Sequence, residues 1–294
     1  MFSVFGPIPG KKRKRMAKTV EPNGKYLNVN GIRFHYLDWG SYKLQPILLL
    51  HGFMAHAHVW DDFAQNFRTR YHVIALDQRG HGETQWCEDG AYSIYDHFSD
   101  IVCFIEALNL NDLILIGHSM GGRNALFYTA CSPNRVKKLI LIDARPGNDP
   151  KSSEALKNLI DHIPLQAGSV EEVVKKVRTL SPYLSKGICE HIVAHGFKKA
   201  PNGMMVPKFD VRMIQQLEKM DYGAEDLWPF FKNIICRSLV IRGKRSSFLS
   251  KKVAQEICRF IPNAELREIP ESTHFPAQEN PIVFNKVISD FLNQ

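Results

Sequence analysis

Residues 113–122 of this 294-residue chain read Leu113-Ile114-Leu115-Ile116-Gly117-His118-Ser119-Met120-Gly121-Gly122, and they decide its fold. The four apolar residues are typical of a strand buried on both faces, and a helical pattern follows at residues 123–130. Gly-x-Ser-x-Gly between a strand and a helix indicates a sharp, crowded turn that needs glycine on both sides of the serine. The turn holds Ser119 out at the carboxyl end of the strand, where its hydroxyl can act as a nucleophile.

Other apolar runs alternate with helical patterns on both sides of this turn. Asn30-Gly31 predicts a hairpin, because both residues tolerate a positive φ. Helices are expected at residues 98–108 and 280–291, and strands at residues 47–50, 73–76, 139–142, 239–241 and 265–270. Strands that alternate with helices predict an α/β fold with a mostly parallel central sheet flanked by helices.

The alternation stops in one block of about 85 residues, where helical patterns replace it. One apolar stripe runs from Leu156 to Ile163, and a second helix opens with the capping pair Ser169 and Glu172. No strand pattern of comparable quality occurs there. We predict a helical cap at residues 146–232, inserted between strands six and seven of a core made of residues 25–145 and 233–294.

The positive charge of the chain is concentrated near its start. The formal net charge is +8, and six positive charges lie within residues 1–20, which contain no acid: Lys11, Lys12, Arg13, Lys14, Arg15 and Lys18. The rest of the chain is therefore nearly neutral, and we expect no nucleic-acid partner. We predict that residues 1–24 form a flexible basic tail in solvent.

Export and membrane insertion are not expected from the sequence. No apolar run approaches the 18 residues that a spanning helix needs. The six cysteines form no C-x-x-C pair, and the start of the chain lacks the pattern of a secretory signal. These features favour a cytoplasmic protein with reduced thiols.

A serine nucleophile needs a base and donors that stabilise an oxyanion. His274 follows a predicted strand, precedes the last helix and is the only histidine after His195, so we predict it as the base. The backbone N–H of Met120, directly after Ser119, is one predicted oxyanion donor. The N–H of Phe53, in the loop after the strand at residues 47–50, is the other.

These motifs resemble those of the α/β-hydrolase superfamily. His51-Gly52-Phe53, the D-Q-R-G-H-G run at residues 77–82, the serine turn and the late Thr273-His274-Phe275 stand in that superfamily's order, over residues 25–294. The resemblance implies the fold, the cap position and a serine hydrolase. Epoxide hydrolases and haloalkane dehalogenases of this fold carry aspartate where this chain has serine, which argues against those two activities. The run at residues 77–82 is expected to be a tightly packed structural loop.

The acid of the triad departs from the commoner pattern of the superfamily. The loop at residues 242–250 contains no Asp or Glu, and Ser246-Ser247 stands where Ser-Asp is usual. Some branches place the acid at the end of strand six, where this chain has Asp143, so Asp143 is the predicted acid; Ser247 can accept a hydrogen bond but carries no charge. This variant is similar to the amide- and enamide-cleaving hydrolases of vitamin B6 breakdown and also to carboxylesterases.

Three other features of the sequence bear on the binding of a metal, a cofactor or a carboxylate. His56 and His58 precede Asp61 and Asp62, but the aspartate comes one place late for an H-x-H-x-D-H metal site and no histidine follows it. We therefore predict no metal and, since no G-x-G-x-x-G run follows the first strand, no dinucleotide or other cofactor. Arg123 and Arg145 are candidates either for binding a substrate carboxylate or for structural pairing.

The chain is predicted to be a serine hydrolase with the triad Ser119, His274 and Asp143. The expected reaction is cleavage of a small to medium carboxylic ester through an acyl-enzyme. One alternative is hydrolysis of a C–N or C–C bond in a small carboxylated compound, such as an amide. The other is a non-catalytic ligand receptor, since a fold does not fix a function. The length of the chain leaves the oligomeric state open.

Overall fold

The computed structural model describes residues 20–147, 150–219 and 226–294, with the side chains of residues 150–152 and 217–219 left out. Its strands are β1 Asn23–Val29, β2 Ile32–Asp38, β3 Pro46–Leu50, β4 His72–Leu76, β5 Leu113–His118, β6 Val136–Ile142, β7 Phe197–Lys199, β8 Met205–Pro207, β9 Arg237–Gly243 and β10 Ala264–Ile269. Its α-helices are α1 Asp61–Phe67, α2 Ile94–Ala107, α3 Met120–Cys131, α4 Pro150–His162, α5 Val170–Leu180, α6 Lys186–Gly196, α7 Arg212–Lys219, α8 Lys251–Phe260, α9 Pro276–Glu279 and α10 Pro281–Leu292. Short 3-10 helices lie at Ala57–Trp60 and Trp228–Asn233.

The central sheet is mostly parallel, as predicted. Its order is β1-β2-β4-β3-β5-β6-β9-β10, in which β2 pairs antiparallel with β1 and β4 and the other pairs are parallel. The predicted hairpin joins β1 to β2, and its turn residues Asn30 and Gly31 have φ values of 50° and 73°. Because β5 lies between β3 and β6, the residues that follow these three strands meet at one edge of the sheet.

The core lies on both faces of this sheet. Alternate residues of β3 point to opposite faces. Leu48 belongs to the buried cluster that includes residues of α2, α3 and α8, and Leu49 to the cluster that includes residues of α1 and α10. Both side chains are fully buried, and burial of one such side chain contributes about 1.5–3 kcal/mol. The two layers of helices fix the position of the strand ends that carry the candidate site.

The segment between β6 and β9 contains α4 to α7 and a small hairpin. The predicted stripes at residues 156–163 and 170–177 fall on α4 and α5. Ser169 caps α5 by accepting a hydrogen bond from the N–H of Glu172, whose carboxylate accepts one from Gly168. The prediction of a purely helical segment missed β7 and β8, because strands of three residues carry too little alternation to be recognised.

The folded region begins slightly before the predicted position. β1 starts at Asn23, two residues before the expected start at Lys25. Residues 1–19, which make up most of the predicted basic tail, lie outside the described residues. Among the described helices, none is both long enough and apolar enough to cross a membrane.

Candidate active site

Ser119 occupies a strained turn between β5 and α3. Its φ and ψ of 51° and −116° lie in a region that residues with a side chain rarely adopt. The turn is also crowded, since a Cβ at Gly117 would lie 2.2 Å from the carbonyl oxygen of Gly121. The predicted glycines are therefore required for backbone contact, and the strain they permit projects Ser119 from the sheet edge.

His274 and Asp143, predicted 131 residues apart as base and acid, are hydrogen-bonded partners. His274 Nδ1 lies 2.9 Å from Asp143 Oδ1, and both side chains are buried. The second carboxylate oxygen of Asp143 accepts a hydrogen bond of 2.9 Å from the N–H of Gly243. His274 also lines the same cavity as Ser119. The structure thus brings the three predicted residues to one rim of the sheet.

Ser246 is a partner of Asp143 that the sequence did not single out. Its hydroxyl donates to Asp143 Oδ1 over 2.5 Å and accepts from the N–H groups of Phe248 and Leu249, at 3.1 and 3.2 Å. Ser247, to which the sequence interpretation gave a possible hydrogen bond, is exposed. The signal for Ser246 was its place in the acid-free loop, but its orientation depends on the turn that this loop makes.

Two further residues hold the loop of His274, and neither was predicted. His118 Nε2 lies 2.7 Å from the carbonyl oxygen of His274, and the ring of Phe248 stacks on the imidazole with centroids 3.8 Å apart. Burial, aided by the nearby His274, holds the pKa of His118 well below its usual value. The neutral His118 ring therefore offers one N–H, which the His274 carbonyl accepts. In the sequence, His118 is only a variable position of the Gly-x-Ser-x-Gly motif.

The two predicted oxyanion donors border one small cavity with Ser119. Met120 is the first residue of α3, so its N–H has no acceptor within the helix. The carbonyl of Gly52 accepts hydrogen bonds from His51 Nδ1 at 2.8 Å and from the N–H of Ala55 at 3.2 Å. In a trans peptide the N–H points opposite to the carbonyl, so these bonds aim the N–H of Phe53 away from His51.

Buried neutral histidines support this loop. His81 Nε2 accepts from the N–H of Met54 at 3.1 Å, and His51 Nε2 accepts from the N–H of Gln78 at 3.0 Å. Burial lowers the pKa of His51 to about 3 and that of His81 to about 4, so both can act as acceptors at neutral pH. Asp77 binds His35 and the N–H of Ala57. The run at residues 77–82 is therefore structural, as expected.

The cavity above Ser119 and His274 is apolar and has a volume of about 110 Å³. No Asp, Glu, Lys or Arg is found among the described residues that line it. The segment between β6 and β9 supplies much of its wall, including Leu156, Leu159, Ile163, Val177, Leu180 and Ile192. A smaller adjoining cavity, bordered by Ser119 and Asp143, also contains Arg123 and Arg145. The nucleophile therefore lies between an apolar compartment and a compartment with two arginines.

A histidine cluster lies outside this cavity. His58, Asp61, His191 and His195 have ligand atoms that all lie within 4.8 Å of one another. The prediction that this chain binds no metal rested on the spacing of His58 and Asp61 relative to their neighbours in the sequence. In the structure His56 turns away, with its Nε2 3.0 Å from the carbonyl oxygen of Ile192. Instead, His191 and His195 of α6 lie beside His58 and Asp61, although they are far from them in the sequence.

A mostly parallel sheet with a strained serine turn after its central strand is the architecture of the α/β-hydrolase fold. A family model described as alpha/beta hydrolase fold matches residues 45–170. The chain therefore has the α/β-hydrolase fold, and its resemblance to hydrolases of that superfamily is confirmed.

The similar proteins include enzymes that cleave different bonds. The chain is 26% identical over 272 residues to 2-(acetamidomethylene)succinate hydrolase of Mesorhizobium japonicum, covering 91% of this chain and 94% of that protein. It is 24% identical over 283 residues to monoacylglycerol lipase abhd6-B of Xenopus laevis, covering 92% and 82%. A crystal structure of E-2-(acetamidomethylene)succinate hydrolase superposes with a TM-score of 0.85 at 22% identity, covering 93% of this chain and 100% of that one. The resemblance to the hydrolases of vitamin B6 breakdown is thus confirmed.

Proposed function

We propose that this protein is a serine hydrolase that cleaves a small to medium carboxylic ester through an acyl-enzyme. The observation that carries the proposal is the buried hydrogen bond of 2.9 Å between His274 and Asp143, on the rim where Ser119 projects. A buried carboxylate fixes the tautomer of the imidazole and stabilises the imidazolium that forms during reaction. Asp143 therefore supplies the negative charge for the triad, since the loop at residues 242–250 contains no acidic residue.

The reaction proceeds in two halves. Ser119 Oγ attacks the ester carbonyl carbon while His274 Nε2 takes the hydroxyl proton. The N–H groups of Phe53 and Met120 hold the oxygen of the tetrahedral intermediate. As the intermediate collapses, the bond to the alcohol oxygen breaks and His274 returns the proton to it. Water then attacks the acyl-enzyme with His274 as base, which releases the carboxylic acid and restores Ser119.

The substrate class follows from the cavity. Burial of a neutral, apolar acyl or alkyl group against the apolar wall of the cavity has a favourable free energy. A charged group would lose its hydration there and find no charged partner among the described lining residues. A volume of about 110 Å³ fits a group of a few carbons. The similarity to a monoacylglycerol lipase agrees with an ester substrate.

Residues 146–232 act, on this proposal, as a cap on a core of residues 25–145 and 233–294. Support comes from the cavity wall and from a link between the segment and the loop of His274. Glu279 accepts from the N–H of Thr273 at 2.6 Å and from the hydroxyl of Ser181, which follows α5. Movement of the cap would therefore change the position of the loop that carries His274. The basic residues that precede β1 take no part in the chemistry on this proposal.

A second candidate is hydrolysis of a C–N bond in a small carboxylated compound. The observation that favours it is the pair Arg123 and Arg145 in the small cavity beside Ser119. A guanidinium binds a carboxylate in a bidentate manner. The similarity to 2-(acetamidomethylene)succinate hydrolase fits this candidate equally well.

A fluorophosphonate probe and matched substrates test the proposal. The probe should label the parent on Ser119 and leave Ser119→Ala unlabelled; a folded parent that stays unlabelled would point to a receptor. p-Nitrophenyl butyrate and the p-nitroanilide of the same acid compare an ester with an amide. A preference for the ester supports the first candidate. Preference for a carboxylated amide, with KM raised at least tenfold in Arg145→Gln, would establish the second.

A further inference from the structure

Four metal-binding side chains meet where α6 packs against the core. His58 belongs to the 3-10 helix before α1, and Asp61 is the first residue of α1. His191 and His195 are four residues apart on α6, so they lie on one face of that helix. Each side of the contact thus contributes two groups, although 133 residues separate His58 from His191.

The distances among these groups suit a small tetrahedral ion. Asp61 Oδ2 lies 2.9 Å from His58 Nδ1 and 3.1 Å from His191 Nε2. The rings of His58 and His195 stack with centroids 3.6 Å apart. Zinc bound at about 2.0–2.1 Å separates tetrahedral ligand atoms by roughly 3.3 Å. The other separations among the four ligand atoms are at most 4.8 Å, so zinc binding would require the His58 and His195 rings to rotate out of their stack and approach the ion.

An unsatisfied oxygen is an independent sign of a ligand. Asp61 Oδ1 is buried and has no hydrogen-bond partner among the described residues. Burial of a carboxylate oxygen costs free energy unless a cation or a hydrogen-bond donor binds it. His58 and Asp61 are each about one fifth exposed, at 21% and 22%, so an ion can reach them from solvent.

We propose that His58, Asp61, His191 and His195 bind a zinc ion that fixes α6 to the core. Three imidazoles and one carboxylate are a donor set that zinc prefers. None of the four borders the cavity that contains Ser119, whereas Ile192 and Gly196 of the same helix do. The ion is therefore structural: it holds one wall of the cavity in place and takes no part in the chemistry.

Zinc binding to the full chain tests this site directly. After treatment with a chelator and dialysis, calorimetric titration with zinc sulfate should show one ion per chain. His195→Ala and His191→Ala should each raise the Kd for zinc at least tenfold. His162→Ala is the matched control, because His162 is an exposed histidine of the same segment and lies outside the cluster. It should bind zinc as the parent does.

Two further measurements separate this site from binding elsewhere. Zinc should raise the thermal midpoint of the parent and of His162→Ala by several degrees and leave that of His195→Ala unchanged, since a ligand stabilises only the state that binds it. Cobalt, bound instead of zinc, should give the strong visible bands of tetrahedral coordination. Unchanged zinc affinity in both His191→Ala and His195→Ala would overturn the proposal. If His191→Ala fails to fold, His195→Ala together with Asp61→Asn decides the matter. Labelling of Ser119 does not depend on this outcome.

Discussion

Ser246 and His274 bind the same oxygen of Asp143. The Ser246 hydroxyl donates to Oδ1 over 2.5 Å, and His274 Nδ1 lies 2.9 Å from that atom. A carboxylate held by an extra donor on the oxygen that faces the imidazole is fixed in its orientation. Ser246, which precedes the position where the acid is usual in this loop, therefore positions an acid supplied by another strand.

Replacing Asp143 with Asn should lower turnover by about 10³–10⁴, because the amide favours the wrong tautomer of His274. Ser246→Ala should cost far less, about tenfold, since a positioning hydrogen bond to a charged group contributes about 1.5 kcal/mol. Ser247→Ala is the control and should retain full activity. Ester hydrolysis by each variant measures the effect. Near-full activity in folded Asp143→Asn would leave a Ser–His dyad.

Ser119→Ala should lower turnover by about 10⁶, as loss of the nucleophile does in other triads. The substitution removes only the hydroxyl oxygen, so the circular dichroism spectrum and the thermal midpoint should stay close to those of the parent. Burst kinetics with a p-nitrophenyl ester provide the second measurement. The parent should show a burst of one equivalent per chain, and the variant none. Activity within tenfold of the parent would refute the mechanism.

His118→Leu removes the donor to the carbonyl of His274 and should lower kcat by about ten- to a hundredfold, since a buried acceptor left without a partner costs about 1–3 kcal/mol. His118→Gln keeps an N–H at similar reach and should recover part of the loss. The measurement is kcat and KM for an ester, beside the thermal midpoint. Equal losses of activity in both variants would show that the hydrogen bond has no positioning role.

The buried histidines should make stability depend on pH. Burial lowers the pKa of His51 to about 3 and of His81 to about 4, and holds the pKa values of His97 and His118 well below normal. Below about pH 6.5 these histidines bind protons in the unfolded chain but not in the folded chain. Their contribution to the free energy of unfolding is therefore fully present above that pH and decreases below it. Each histidine should cost about 1.4 kcal/mol per pH unit in this range.

Thermal unfolding at pH 7.5 and 5.5, at equal ionic strength, measures this effect. The midpoint should fall by about 10 °C or more, given about 2–4 °C per kcal/mol for a chain of this size. His97→Leu should show a shallower dependence on pH, whereas His162→Ala, which changes an exposed histidine, should match the parent. A midpoint that does not change between the two pH values would show that the four histidines take up protons in the folded protein as readily as in the unfolded chain.

The sequence by itself determined the sheet, the serine turn and the candidate triad. The strand at residues 113–116 and the glycines around Ser119 are local signals, because burial on both faces and backbone crowding act on adjacent residues. The prediction of Asp143 rests also on the resemblance to branches of the superfamily that place the acid at the end of strand six, where this chain has an acidic residue. Such signals identify which residues reach the rim of the sheet.

Only the tertiary structure decided which distant groups meet there. The bond from His118 to the carbonyl of His274 spans 156 residues, and the approach of His191 to Asp61 joins a helix of the inserted segment to the core. β7 and β8 escaped recognition since three residues carry almost no periodicity. Such contacts depend on how packed layers bring side chains together, and the spacing of residues along one chain does not encode that distance.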